Sequence, residues 1–202
     1  VLLIMGMQGS INLGIRYMLP IFPFIFVALS RLANIIDFKD FNIKNWKIAG
    51  TTLAMVLLVA WYIAGSLLTY PHYLSYFNEF VGGYKNGYKY LTDSNLDWGQ
   101  DVKRLATWIK NSDASKLHKC QYQIYVDVFP GSMPAAYYIG RDRMVEWHVQ
   151  NGRPTGCFAV SATFYQNSKM KKSANGGMDY SWLDSLKPIK NIGGSILIYD
   201  LK

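Results

Sequence analysis

The sequence predicts a membrane α-helical segment, the end of a polytopic bundle, followed by an α/β extracytoplasmic domain. Three observations predict it. Apolar residues crowd the part before Tyr70 although the chain as a whole is only 50% apolar; two runs within that part carry almost no charge; and beyond Tyr70 strand-like stretches alternate with helical ones. The expected division is residues 1–70, holding the transmembrane helices, and residues 71–202, long enough to bury a core of their own.

Residues 48–70 contain no charged side chain. At ~1.5 Å per residue a helix of that length crosses the ~30 Å hydrocarbon layer. Trp61, Tyr62 and Tyr70 fall in its second half, where an interfacial aromatic belt belongs. Residues 19–36 form the second expected span. Pro20 and Pro23 sit near its start, where N–H groups lack helical partners anyway, and Arg31 near its end can snorkel to the interface. Residues 1–7 are apolar but too short to span, and the chain opens on Val1; the expectation is the tail of a helix belonging to a larger polytopic protein. A small-residue signal-peptide cleavage site is missing there. Between the spans, Arg31, Lys39, Lys44 and Lys47 outnumber Asp37 and Asp40. The positive-inside rule then puts residues 37–47 in the cytoplasm, and residues 8–18 and everything after Tyr70 outside. The formal charge of +8 contains no basic run with interleaved recognition residues, so nucleic acid is not an expected partner.

The soluble part opens with an aromatic connector, in which Gly82-Gly83 and Asn86-Gly87 signal turns. Tyr73, Tyr76, Phe77, Phe80, Tyr84, Tyr88 and Tyr90 are spaced to pack beneath the domain, with the membrane surface as the alternative. Next comes Leu91-Thr-Asp-Ser-Asn-Leu-Asp-Trp-Gly-Gln-Asp101, the densest polar stretch. Asp97 reads as a helix N-cap with Gln100 as its capping-box partner, and Trp98, Val102, Leu105 and Ile109 share one apolar face of a helix running to about Lys110. Asp93, Asn95, Asp97, Gln100 and Asp101 form a cluster that is either local capping or a ligand site, since helix N-termini attract anions and polar hydroxyls. Three strands are expected at residues 121–129, 157–164 and 194–201, a short helix at 134–139, and a polar surface excursion at 166–180. Strands alternating with helices make an α/β layered domain.

Direct chemistry is sparse. His72, His118 and His148 have no metal-ligand spacing, so the sequence identifies no metal site or cofactor, and metal dependence is not readable from it. A nucleophile elbow is missing, and no Gly-rich phosphate loop follows a strand. Cys120 and Cys157 each sit at the start of an expected strand; they could form a disulfide or be two small buried residues. In the outer loop, Arg16 and Tyr17 stand where a helix enters the bilayer, and Arg16 could grip a lipid phosphate or simply anchor to headgroups.

Three strings carry a resemblance: Gly14-Ile-Arg16-Tyr17-Met-Leu-Pro20-Ile-Phe-Pro23, Tyr76-Phe77-Asn78-Glu79, and Asp93-Ser94-Asn95-Leu96-Asp97-Trp98-Gly99-Gln100-Asp101. Together they resemble the C-terminal end of GT-C superfamily, polyprenyl-phosphate-dependent membrane glycosyltransferases, in the branch related to protein O-mannosyltransferases and aminoarabinose transferases. The resemblance covers about the first half of the chain. It implies inverting transfer of a sugar from a polyprenyl-phosphate donor to an acceptor glycan, lipid or protein on the outer face of the cell membrane. It also implies that the catalytic aspartate lies upstream, so no catalytic residue is expected in this chain. Arg16 and Tyr17 would then bind the donor phosphate, stabilising the charge that develops as the glycosidic bond breaks. The competing expectation is a membrane-anchored module that binds a glycan or protein partner without catalysis.

Overall fold

The computed structural model describes residues 19–31, 50–111, 120, 122–170 and 176–201. It divides into two compact units, Val1–Pro71 and His72–Lys202. Residues 1–7, the donor-phosphate residues Arg16 and Tyr17, and the basic loop at 37–47 lie outside the described residues.

In the first unit, helix α1 runs over Phe22–Ser30 and helix α2 over Gly50–Thr69. Among the described residues no helix is long and apolar enough to cross a membrane. This corrects the expected pair of spans at 19–36 and 48–70. α1 is only nine residues long, about 14 Å at ~1.5 Å per residue. Instead of a membrane bundle, the larger unit of the chain is a small α/β domain with a five-stranded mixed sheet.

That sheet belongs to the second unit. Its strands are β1 (Ile124–Asp127), β2 (Met144–Glu146), β3 (Gly156–Ser161), β4 (Lys190–Ile192) and β5 (Ile196–Leu201), in the spatial order β2-β1-β3-β5-β4. β1 pairs in parallel with both β2 and β3, while β5 runs antiparallel to β3 and β4. Helix α3 (Val102–Asn111) precedes the sheet, α4 (Ser132–Ile139) connects β1 to β2, and α5 (Ala162–Met170) follows β3.

Strand periodicity divides the core into two layers. Ile124, Val126, Val128, Cys157, Ala159, Ile196 and Ile198 pack with Val102, Leu105 and Ile109 of α3 and Ala135 and Ile139 of α4. Their alternate neighbours Phe158, Val160, Leu197, Tyr199 and Leu201 pack with Tyr165, Tyr180 and Leu183. Fully burying one such aliphatic side chain is worth ~1.5–3 kcal/mol, so the two layers dominate the stability of the unit. Cys120 and Cys157 form a disulfide with Cα atoms 5.0 Å apart, joining the approach to β1 to the start of β3.

Two expectations change here. Among its described residues the segment at 166–180 is a surface excursion only in part: its first residues continue α5 and Ser168 and Tyr180 are buried, while residues 176–178 are exposed. The aromatic connector packs only in part: it breaks into short 3₁₀ turns, with Gly82 and Gly83 at positive φ, Phe77 and Tyr84 are half-buried and Tyr88 packs on the second layer, while Tyr73, Tyr76, Phe80 and Tyr90 face solvent.

Candidate functional site

Two sites gather at the edge of the sheet where the parallel strands end. The C-terminal residues of β1, β2 and β3 are Asp127, Glu146 and Ser161, and Ser195 lies beside them because Ile196 pairs with Ser161. In open α/β sheets this edge is where ligands bind, since the loops leaving it are free to vary while the strands hold them.

The first site is the polar knot of residues 93–101. Asp93 takes positive φ, alone among the described non-glycine residues, and its carbonyl accepts from the Leu96 and Asp97 N–H groups at 2.9 and 2.8 Å. Asn95 Nδ2 donates back to Thr92 O at 3.3 Å. The expected capping box is not formed. Asp97 Oδ1 accepts from Gly99 N at 3.1 Å, while Gln100 Oε1 accepts from Trp98 N at 2.7 Å and its amide donates to Leu96 O at 2.9 Å. The helix therefore starts later, at Val102, with Asp101 O accepting the first helical bond from Leu105 N at 2.8 Å. Trp98 lies outside the apolar face, half exposed, with its indole N–H on Ser94 O at 2.9 Å.

Asp97 and Asp101 are both fully buried. Asp101 is satisfied: it accepts from Arg104 Nη1 at 2.5 Å and from Ser195 Oγ at 2.7 Å. Asp97 is not. Its Oδ2 has no hydrogen-bond partner in good geometry, and neither has the buried Thr163 Oγ1, although the Thr163 and Ser161 hydroxyls lie near enough to ease its ionisation. Burial outweighs the Gly99 N–H and both hydroxyls and pushes the Asp97 carboxyl up to about 6. Two glycines make the knot possible. At Gly99 (φ +75°) a Cβ would stand 2.6 Å from Pro130 Cδ, and at Gly193 (φ +63°) one would stand 2.0 Å from Asp101 Oδ1.

The second site was not legible as a motif. Asp127, at the end of β1, receives the Tyr180 hydroxyl on Oδ2 at 2.5 Å, and His148 Nδ1 stands 3.7 Å from Oδ1. His148 Nε2 lies 3.3 Å from Glu146 Oε1. Burial pushes the Asp127 carboxyl up to about 6 against the lowering pull of Tyr180 and His148. Burial, with the neighbouring Asp127 charge, in turn raises the Tyr180 phenol, which stays protonated as a donor. The pair opens into a cavity of about 260 Å³ lined also by Gln150, Phe164 and Asn167. A carboxyl that titrates near neutrality, beside an imidazole, can hold or accept a proton from a bound hydroxyl. Among the described residues no group of His, Cys, Asp and Glu is arranged to hold a metal ion.

Thus the structure brings Asp97, Gln100 and Asp101 together in a buried knot, leaves Asp93 exposed at its start, and adds Asp127, His148 and Tyr180 as a separate, open site. Comparison with protein-family models, curated proteins and solved structures finds no match for the chain.

Proposed function

We propose that the chain works in a glycosyltransferase that moves a sugar from a polyprenyl-phosphate donor to an acceptor on the outer face of a membrane, and that the Asp127–His148 cavity engages the acceptor. Arg16 and Tyr17 hold the donor phosphate in this reading, and the catalytic carboxylate comes from upstream. The observation that carries the acceptor role is the cavity itself. Asp127, His148, Gln150 and Asn167 offer directional donors and acceptors beside the Phe164 ring, a lining suited to hydroxyl-rich ligands whose C–H faces pack on aromatic surface. The Cys120–Cys157 bridge supports an oxidising compartment, outside the cytoplasm.

Transfer assays on the full-length protein in membranes test both parts. Arg16→Ala should abolish transfer while expression persists; a normal rate removes Arg16 from the mechanism. Asp127→Asn should raise the acceptor KM about ten-fold, the loss expected for one buried charged hydrogen bond, and leave the donor KM unchanged. An unchanged acceptor KM would refute the acceptor role. A binding module without catalysis would show glycan affinity and no turnover in the same preparation.

A further inference from the structure

A second cavity, of about 450 Å³, is lined by His72, Lys85, Arg104, Lys190, Asn191 and Gly193 among others, and no carboxylate lines it. Three cations converge on it from the aromatic connector, α3 and β4. Arg104 is aimed from below: Asp101, fully buried, grips Nη1 at 2.5 Å and is itself held by Ser195 Oγ at 2.7 Å. Only a glycine at 193 lets the β4–β5 turn close over that carboxylate. Asn191 ties the rim together, donating to Lys85 O at 2.9 Å and accepting from Gly194 N at 2.9 Å. Among the described residues neither Lys85 nor Lys190 forms an ion pair. His72 stacks on Tyr84 with ring centroids 4.6 Å apart, and its Nδ1 is shielded from solvent without a hydrogen-bond partner. Burial, then Arg104 and Lys85, lower its imidazole pKa against the raising pull of Asp101, which favours the neutral ring with one donor and one acceptor nitrogen.

We propose that this cavity binds a phosphate-class anion, a phosphomonoester or phosphodiester group. Asp101 offsets one of the three positive charges, which leaves two. That balance suits a phosphate better than a carboxylate, and a guanidinium fixed by a buried partner holds its charge at the cavity without further loss of side-chain freedom. The site stands independently of the glycosyltransferase reading. It also connects the polar knot to a ligand, because the knot positions Asp101 and Asp101 positions Arg104.

The test uses the whole chain, with inorganic phosphate titrated by calorimetry and phosphatidic-acid vesicles assayed by co-flotation. The Lys85→Gln/Lys190→Gln double variant changes two exposed side chains, and Lys103→Gln, on the exposed side of α3, is the control for losing a positive charge outside the cavity lining. Phosphate binding that weakens at least ten-fold in the double variant and less than two-fold in Lys103→Gln supports the site with a soluble phosphate ligand. Vesicle binding lost in the double variant and kept in Lys103→Gln supports it with a lipid phosphate. Absence of both kinds of binding in the wild type, or equal weakening by Lys103→Gln, overturns it.

Discussion

Asp97 and Asp127 are the same residue type, both almost fully buried at the same edge of one sheet, and burial raises both to about 6. They differ in what lies beyond the carboxyl. Asp97 is sealed between its own segment and the Ser161 and Thr163 hydroxyls, with Gly99 N on one oxygen and no partner in good geometry on the other. Asp127 is clamped by Tyr180 and opens through His148 into a cavity. A raised carboxyl pKa marks a functional site only when a ligand can reach the group; otherwise it records a cost carried by the fold. On that distinction Asp97 reads as scaffolding, and Asp127 is the one a ligand in the cavity could reach.

The comparison can be broken at its common support. Replacing Cys120 and Cys157 by Ser should cost about 4 kcal/mol on the loop-entropy relation, with a sequence separation of 37 between them. Denaturant unfolding should show one cooperative loss, because the bridge joins the start of β3 to the approach to β1, and those strands end at Asp97's neighbours and at Asp127 respectively. Gly193→Ala strikes the knot alone. Its Cβ would collide with the Asp101 carboxylate at a backbone angle that L residues avoid, and a stability loss of about 3 kcal/mol is expected. A loss under about 0.5 kcal/mol would mean that the knot has slack.

Asp97→Asn sharpens the contrast through pH. A carboxyl whose folded pKa lies above its unfolded 3.8 binds its proton more tightly when folded. It therefore favours folding most below about pH 4 and loses that contribution as pH rises towards 6. Asn keeps the Oδ1 acceptor without the charge. The variant should match wild type at pH 4 and exceed it by about 2 kcal/mol at pH 7, with the acceptor KM unchanged. The smallest expected stability effect is His148→Ala, within about 0.5 kcal/mol because the ring is exposed, yet it should raise the acceptor KM several-fold.

The three expected strands were legible because Ile124, Val126 and Val128 fall at period two, while the runs around Phe158 and Ile198 are continuous apolar stretches buried on both faces. β2 and β4 were missed because three residues are too few to show a period. In the knot, the residue types that promise a capping box also satisfy a tighter turn, and choosing between them needs Gly99 seated against Pro130 and Asp101 beneath Gly193, contacts that are remote in sequence. Tyr180 and Asp127 meet across 53 positions, so no local spacing announces them. The expected spans followed from apolar length, sparse charge and flanking prolines and aromatics, which report that a segment is apolar but not how much of it is helix, as the nine residues of α1 show.

The placement of β5 sets a condition on how the domain is made. It is the last strand of the sheet in sequence, yet it lies between β3 and β4 and carries five of the buried core residues, Ile196 to Tyr199 and Leu201. During vectorial synthesis β1, β2 and β3 emerge first with one long edge of β3 unpaired and both apolar layers open. Until the β4–β5 hairpin arrives to add two strands at once, the nascent domain is an exposed sheet edge in search of a partner. Its period of greatest aggregation risk ends only with the final strand.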